Sequence, residues 1–157
     1  MNSSIRKVEA KDISHLKSVI DSSELFPSAL LDDMIHDYLT NDGTEEIWLT
    51  KDDEQDKPII IAYCAPEKMT EGTYNLYLIA VHKDHQGQGL GKEMMAYIEE
   101  HLKQSGQRIL IVETSGLPDF ELTREFYDKC DYTREAIIRD FYQEGEDKVV
   151  FWKKLTN

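Results

Sequence analysis

His85-Gln86-Gly87-Gln88-Gly89-Leu90-Gly91 lies between an apolar strand candidate, residues 74–81, and an amphipathic helix candidate, residues 90–104. The first turn of a helix has backbone N–H groups without partners and a partial positive charge. Glycine lets these groups approach an anion closely, because it has no Cβ atom. A strand, a glycine-rich turn and a helix in this order are therefore typical of a phosphate-binding turn.

Two common phosphate-binding motifs do not fit this turn. A Walker-type loop requires glycine at Gln86 and serine or threonine at Glu93. A dinucleotide fingerprint that starts at Gly87 has Lys92 in place of its third glycine. An ordinary glycine-rich turn before a helix is the remaining alternative to a phosphate site.

The pattern Gln86-x-x-Gly89-x-Gly91 resembles the pyrophosphate loop of the GNAT superfamily of N-acetyltransferases, which bind acetyl-CoA. This resemblance implies that the diphosphate of coenzyme A lies on the backbone amides of Gln86, Gly87, Gln88, Gly89, Leu90, Gly91 and Lys92. It also implies that the pantetheine arm and the thioester carbonyl lie at the end of the central strand, at Ile79, Ala80 and Val81.

The order of predicted elements resembles the same superfamily over nearly the whole chain. Apolar periodicity and turn residues predict strands at 5–8, 46–50, 58–63, 73–81, 108–113, 133–139 and 148–155. They predict helices at 11–22, 28–40, 90–104 and 119–129. The resemblance implies an α/β (α+β) fold with a mixed sheet of roughly six to seven strands, about four flanking helices and splayed central parallel strands.

Composition limits the class of protein. The chain has 157 residues, of which 40% are hydrophobic, so we expect one globular domain over residues 1–157. Its 31 acidic and 18 basic residues give a net charge of −13, which argues against nucleic acid or anionic membranes as partners. Neither a membrane-spanning run nor a secretory signal is evident, so the expected location is the cytoplasm. Two cysteines and scattered histidines predict neither a disulfide framework nor a metal site.

The segment Arg124-Glu125-Phe126-Tyr127-Asp128-Lys129-Cys130-Asp131-Tyr132 resembles a further GNAT element, Phe-Tyr-x-Lys-x-Gly-Phe/Tyr. The resemblance implies that Tyr127 lies near the cofactor sulfur and acts as the general acid. The alternative is that Phe126 and Tyr127 form an aromatic core pair. Asp131 replaces the family's glycine, and aspartate tolerates a left-handed backbone better than most residues. Phe120 stands where members of the family often have asparagine. Any contact between the side-chain amide of that asparagine and the cofactor is therefore absent or made by another group.

The general base is less well defined by the sequence. An ammonium group must lose a proton before it can attack a thioester. Glu113, at the carboxyl end of a predicted parallel strand, is the candidate that we place in the site. Glu71, His82 and a water relay remain as alternatives. A structural role for Glu113, bonded to the turn at 114–116, also remains open.

The predicted reaction is transfer of an acetyl group from acetyl-CoA to a primary amine of a small molecule, by direct attack in a ternary complex. Aromatic residues beside carboxylates in the first two helices and before the last strand favour a cationic acceptor. A non-catalytic or regulatory acyl-CoA-binding module is the alternative, because the central strand has no carboxylate. Dimers are common among GNAT proteins, so a homodimer is possible.

Overall fold

The computed structural model describes residues 4–156. Its strands are β1 (Ile5–Lys7), β2 (Ile47–Asp52), β3 (Pro58–Pro66), β4 (Thr73–Val81), β5 (Ile109–Ser115), β6 (Thr133–Gln143) and β7 (Glu146–Lys154). Its α-helices are α1 (Ile13–Ser23), α2 (Leu31–Thr40), α3 (Leu90–Gln104) and α4 (Glu121–Lys129). No helix in this range is long and apolar enough to cross a membrane.

The strands form one mixed sheet of seven strands in the order β1-β2-β3-β4-β5-β7-β6. Strands β4 and β5 are parallel, whereas β7 pairs antiparallel with both β5 and β6. The parallel register runs from Thr73–Ile109 to Leu76–Val112, and β4 then continues to Val81. The mixed sheet of seven strands and the four α-helices confirm the predicted fold class.

By its internal contacts the described chain divides into two units. The first unit comprises residues 4–65 and 78–97. Its core is a cluster of buried side chains from α1, α2 and the sheet: Val8, Leu16, Val19, Ile20, Leu31, Ile35, Trp48, Ile61, Leu78 and Ala80. The spacing of Leu16, Val19 and Ile20 places them on one face of α1, as the sequence predicts.

The second unit comprises residues 66–77 and 98–156. Its buried side chains come from the end of α3, from α4 and from β5 and β7, and they include Ile98, Leu102, Leu110, Val112, Tyr127 and Phe151. Edge strand β6 is different, because all of its residues are exposed. One domain over residues 1–157 stays a prediction.

The bounds of β4 and α3 are those that the sequence predicts. Helices α1, α2 and α4 begin later than predicted, because short 3₁₀ turns precede them at Ala10–Asp12, Ser28–Leu30 and Pro118–Phe120. Strand β6 extends beyond the predicted end at Arg139, with a register shift between Ile138 and Gln143 and a left-handed Asp140. This irregularity interrupts the alternation by which a strand is recognised.

Candidate active site

The turn between β4 and α3 has a left-handed backbone at Gly87 (φ 78°) and at Gly89 (φ 81°). L-residues with a side chain rarely adopt this conformation. A Cβ atom on either glycine would meet nothing within 4 Å. The backbone angle, and not crowding, therefore requires glycine, and a ligand can approach the main chain from this open side.

Helix α3 begins with amides that have no helical acceptor. The N–H of Glu93 donates to the carbonyl of Gly89 at 3.0 Å. The amides of Leu90, Gly91 and Lys92 precede it, in the turn that lacks carbonyls four residues earlier in the helix. These N–H groups, the helix dipole and the exposed Lys92 form a donor set that fits a diphosphate.

Glu93 places a carboxylate in the first turn of α3, where it would oppose a bound anion. Lys51 of β2 donates to both of its oxygens, at 2.8 and 2.9 Å from Nζ. This ion pair balances the negative charge of Glu93 next to the glycine turn. Sequence reasoning missed the pair, because the two residues are far apart in the chain.

Other hydrogen bonds attach the glycine turn to its unit. Gln86 Nε2 donates to the carbonyl of Val81 at 3.1 Å, so this side chain ties the turn to the end of β4. The amide of Lys83 donates to Ser22 Oγ at 3.1 Å, at the end of α1. His82, an alternative base, accepts the amide of Asp84 on Nδ1 at 3.1 Å. One of its two ring nitrogens is therefore occupied.

The last residues of β4 lie beyond the part of the strand that pairs with β5. Ile79 and Val81 are partly exposed, and Ala80 is buried. All three lie after Leu76, where the register with β5 ends. Their backbone groups on that side of β4 are therefore not used by the parallel ladder.

Tyr127 of α4 is 3% exposed and lies among aromatic rings. Its ring centroid is 5.2 Å from that of Phe126, 5.3 Å from Phe151 and 5.9 Å from Tyr132. Burial raises the pKa of the phenol, because a low-dielectric environment disfavours phenolate. Tyr127 is therefore protonated at neutral pH. These contacts agree both with a proton donor and with an aromatic core pair.

The end of α4 is held by a network that begins at Tyr132. Its hydroxyl donates to Glu99 Oε2 at 2.8 Å. Lys153 donates to Glu99 Oε1 and to the carbonyl of Cys130, each at 2.8 Å. Asp131 has a φ of 67°, which confirms that aspartate takes the left-handed position of the family's glycine.

Glu113 lies in a polar group that we call the Asn75 cluster, which consists of Glu67, Asn75, Tyr77, Glu113 and Lys148. Glu113 Oε1 accepts from Asn75 Nδ2 at 3.0 Å, and Glu113 Oε2 accepts from Lys148 Nζ at 2.6 Å. Both oxygens are therefore engaged, and the partners are not the turn at 114–116. Glu71, another candidate base, is exposed.

Sequence reasoning missed Glu67 and Asn75. Glu67 Oε1 accepts from Asn75 Nδ2 at 2.8 Å and from the hydroxyl of Tyr77 at 2.7 Å. Asn75 thus brings two carboxylates to a central strand that has none of its own. The available signal was one asparagine in an otherwise apolar strand, since a buried amide needs partners.

The apolar side chains expected at an acceptor site have different surroundings. Phe26, Met34 and Tyr38 pack against the core of the first unit, and Tyr38 donates to the carbonyl of Val8 at 2.8 Å. In the second unit, Phe141 is 49% exposed and Tyr142 is 45% exposed. Within residues 4–156 no group of three or more His, Cys, Asp or Glu side chains is arranged to hold a metal ion.

Solved structures share this fold. A Desulfovibrio desulfuricans protein of the GNAT family is 27% identical, with a TM-score of 0.89 over 96% of this chain and 98% of that chain. The Escherichia coli ribosomal-protein-S18-alanine N-acetyltransferase is 18% identical, with a TM-score of 0.78 over 100% of this chain and 96% of that chain. An aminoglycoside 6'-N-acetyltransferase complexed with coenzyme A is 14% identical, with a TM-score of 0.76 over 96% of each chain.

No curated protein matches the chain in sequence. The family model described as acetyltransferase (GNAT) domain matches residues 43–134, which include β3, β4, α3, β5 and α4. The matched region contains the glycine turn, Glu113 and Tyr127. The resemblance seen in the sequence is therefore confirmed, and the chain belongs to the GNAT family of acetyltransferase domains.

Proposed function

We propose that this acetyl-CoA-dependent N-acetyltransferase transfers an acetyl group to a primary amine of a small molecule, by direct attack in a ternary complex. The observation that carries the proposal is the open turn with left-handed Gly87 and Gly89 at the start of α3. Such a turn presents several N–H donors to one anion. Two-step transfer through an enzyme nucleophile is not needed, because a neutral amine attacks a thioester directly.

The chain's own residues would hold the cofactor through its main chain. The amides of residues 86–92 would bind the diphosphate, and the backbone of Ile79, Ala80 and Val81 would bind the pantetheine arm. Acetyl-CoA supplies an acetyl group activated as a thioester. Backbone N–H donors at the end of β4 would stabilise the negative charge that develops on the carbonyl oxygen.

Tyr127 is the proposed acid. Its phenol carries a proton on Oη at neutral pH, and this proton can pass to the thiolate as it leaves. For the acceptor amine we propose proton loss to water, with Glu113 reached through that water. Direct contact of the amine with Glu113 would add a third donor to a carboxylate that already accepts from Asn75 and Lys148.

A small-molecule acceptor is supported by the half-exposed rings of Phe141 and Tyr142 and by the carboxylates of the Asn75 cluster. Neighbours that share the fold include aminoglycoside and spermidine N-acetyltransferases. Another neighbour acts on the alanine of a ribosomal protein, so a peptide N-terminus is the competing class of acceptor.

The test is a panel of small amines and peptides incubated with the full chain and acetyl-CoA, with release of free thiol as the readout. We expect release with small amines. Release with peptides alone would reject the small-molecule acceptor. Binding of coenzyme A without release on any acceptor would favour a non-catalytic acyl-CoA-binding module.

A further inference from the structure

Asn75 has a buried oxygen that lacks a partner. The residue is 2% exposed, and its Oδ1 is the single buried side-chain N or O atom in the described chain without a hydrogen bond. The orientation of the amide is determined by its neighbours, since Nδ2 donates to Glu67 and to Glu113. A flipped amide would place its oxygen against two carboxylates. A buried acceptor without a donor is costly, so this atom marks a place where a ligand can donate.

The charge of the Asn75 cluster defines that ligand. Glu67 and Glu113 contribute two negative charges, and Lys148 contributes one positive charge, which leaves one negative charge uncompensated. Lys148 is also held 3.6 Å above the ring of Phe141. A group that donates hydrogen bonds and carries one positive charge would satisfy both Asn75 Oδ1 and the excess charge. A protonated amine has these properties.

The cluster lies on the face of the sheet opposite to α4. Lys148 and Val150 are in register with Ser115 and Glu113, so their side chains share a face. Phe151 and Lys153 alternate to the other face, where they contact Tyr127 and Glu99. Helix α4 and residue 99 of α3 therefore do not cover the Asn75 cluster.

We propose that the Asn75 cluster binds a second, non-reacting ammonium group of the acceptor, so that the substrates are diamines or polyamines. The proposal rests on the acetyltransferase function proposed above. An amine beside two carboxylates keeps its proton, because nearby negative charge favours the ammonium form. The attacking nitrogen must be neutral. The nitrogen bound at the cluster is thus not the one acetylated, and the acceptor carries at least two.

Tyr77 is the group that the ligand replaces. Its side chain is 50% exposed, and its hydroxyl donates to the same Glu67 oxygen that accepts from Asn75. Residues 75 and 77 alternate onto the same face of β4. The ammonium group takes the place of this hydroxyl at Glu67 and donates a second hydrogen bond to Asn75 Oδ1.

The test compares straight-chain diamines of increasing length with monoamines of the same length as acceptors for the full chain. We expect kcat/KM to be about tenfold higher or more for the best diamine, as one charge-assisted hydrogen bond would give. Equal kcat/KM for diamines and monoamines overturns the inference and leaves the acetyltransferase function intact. If no amine is acetylated, calorimetry with coenzyme A present decides, because absence of diamine binding then overturns the inference directly.

Substitutions in the Asn75 cluster distinguish recognition of the ammonium group from a purely structural role of the cluster. Glu67→Gln removes the excess charge with little change in size, so KM for the diamine should rise about tenfold, and the ratio of kcat/KM for the diamine to kcat/KM for the monoamine should fall by a similar factor. Tyr77→Phe removes the competing hydroxyl and should lower KM for the diamine. Glu100→Gln, which alters an exposed carboxylate of α3, is the matched control and should change kcat/KM for neither substrate. Equal effects of Glu67→Gln on diamine and monoamine would contradict the proposal.

Discussion

Tyr127 is buried among aromatic rings, and its phenol is protonated at neutral pH. Oη is the feature that distinguishes a proton donor from a core ring, because phenylalanine would keep every ring contact. Tyr127→Phe should therefore lower kcat by about a hundredfold or more, the usual effect of losing a general acid. The affinity for coenzyme A, measured by calorimetry, should not change.

Tyr132→Phe is the control for this substitution. It removes the hydrogen bond to Glu99 and should lower the free energy of unfolding by about 1 kcal/mol while kcat stays within about twofold. If Tyr127→Phe also retained kcat within that range, Tyr127 would be a core residue and the acid would be another group.

Asp131 has a left-handed backbone just beyond the end of α4. Glycine adopts this conformation without a steric penalty, so Asp131→Gly should raise the free energy of unfolding by about 0.5 kcal/mol. Glu125→Gly, at the middle of the helix, should lower it by about 1 kcal/mol. Chemical denaturation measures both. A loss of stability in Asp131→Gly would show that the aspartate side chain, and not its backbone angle, matters there.

At the scale of elements, the two ends of α3 allow a matched comparison. Gly89 before the helix and Gly106 after it both have left-handed backbones, with φ of 81° and 85°, and both face open space. Alanine should cost about 1 kcal/mol of stability at either position. Only Gly89→Ala should also weaken the binding of coenzyme A, by about tenfold, because it disturbs the amides of the glycine turn.

Calorimetry with coenzyme A on both variants checks this prediction. Equal loss of affinity in Gly89→Ala and Gly106→Ala would mean that helix stability alone governs binding. Unchanged affinity in Gly89→Ala would remove the glycine turn from the binding site.

The start of the first unit depends on Arg6. Its guanidinium donates to both oxygens of Asp12, at 2.8 Å each, and to both oxygens of Asp52, at 2.9 and 3.0 Å. The hydrogen bond from Arg6 holds the pKa of Asp12 below its ordinary value of 3.8. Asp12→Asn should lower the free energy of unfolding at neutral pH by about 2 kcal/mol, since Asp12 is buried.

This contribution has a defined pH dependence. A carboxyl whose pKa is lower in the folded state stabilises the fold above its unfolded pKa, and the contribution is lost as pH falls through the folded value. Between neutral pH and about pH 3, the free energy of unfolding should thus fall less for Asp12→Asn than for the wild type, as measured by denaturation. Asp32→Asn, which breaks the exposed pair with Lys17, should cost less than about 0.5 kcal/mol. If the free energy of unfolding fell by the same amount on acidification in Asp12→Asn and in the wild type, the role of Asp12 would be contradicted.

At the scale of the whole molecule, sequence patterns predicted correctly those elements whose signal lies within their own segment of the chain. Strand β4 and helix α3 have the predicted bounds, because an apolar run and a helical stripe are each complete within their own segments. The late start of α1 was not predictable in this way. Asp12 accepts the amide of Glu9 and pairs with Arg6, contacts that favour a tight 3₁₀ turn before the helix.

The same distinction applies to the candidate site. The glycine turn and Tyr127 belong to short motifs, so the sequence identified them. Glu113 meets Asn75 and Lys148 only through strand pairing, and Lys51 meets Glu93 across more than forty positions. No local period encodes such pairs. Asn75 alone was visible, as a polar residue in an apolar strand.

The central claim is that the backbone amides of residues 86–92 bind the diphosphate of coenzyme A. Titration of the ¹⁵N-labelled chain, once with coenzyme A and once with pantetheine, tests it directly, because pantetheine lacks the diphosphate. We predict that coenzyme A shifts the amide resonances of residues 86–92 more than any other segment, and that pantetheine leaves them in place. Binding of coenzyme A without shifts at these amides would contradict the account.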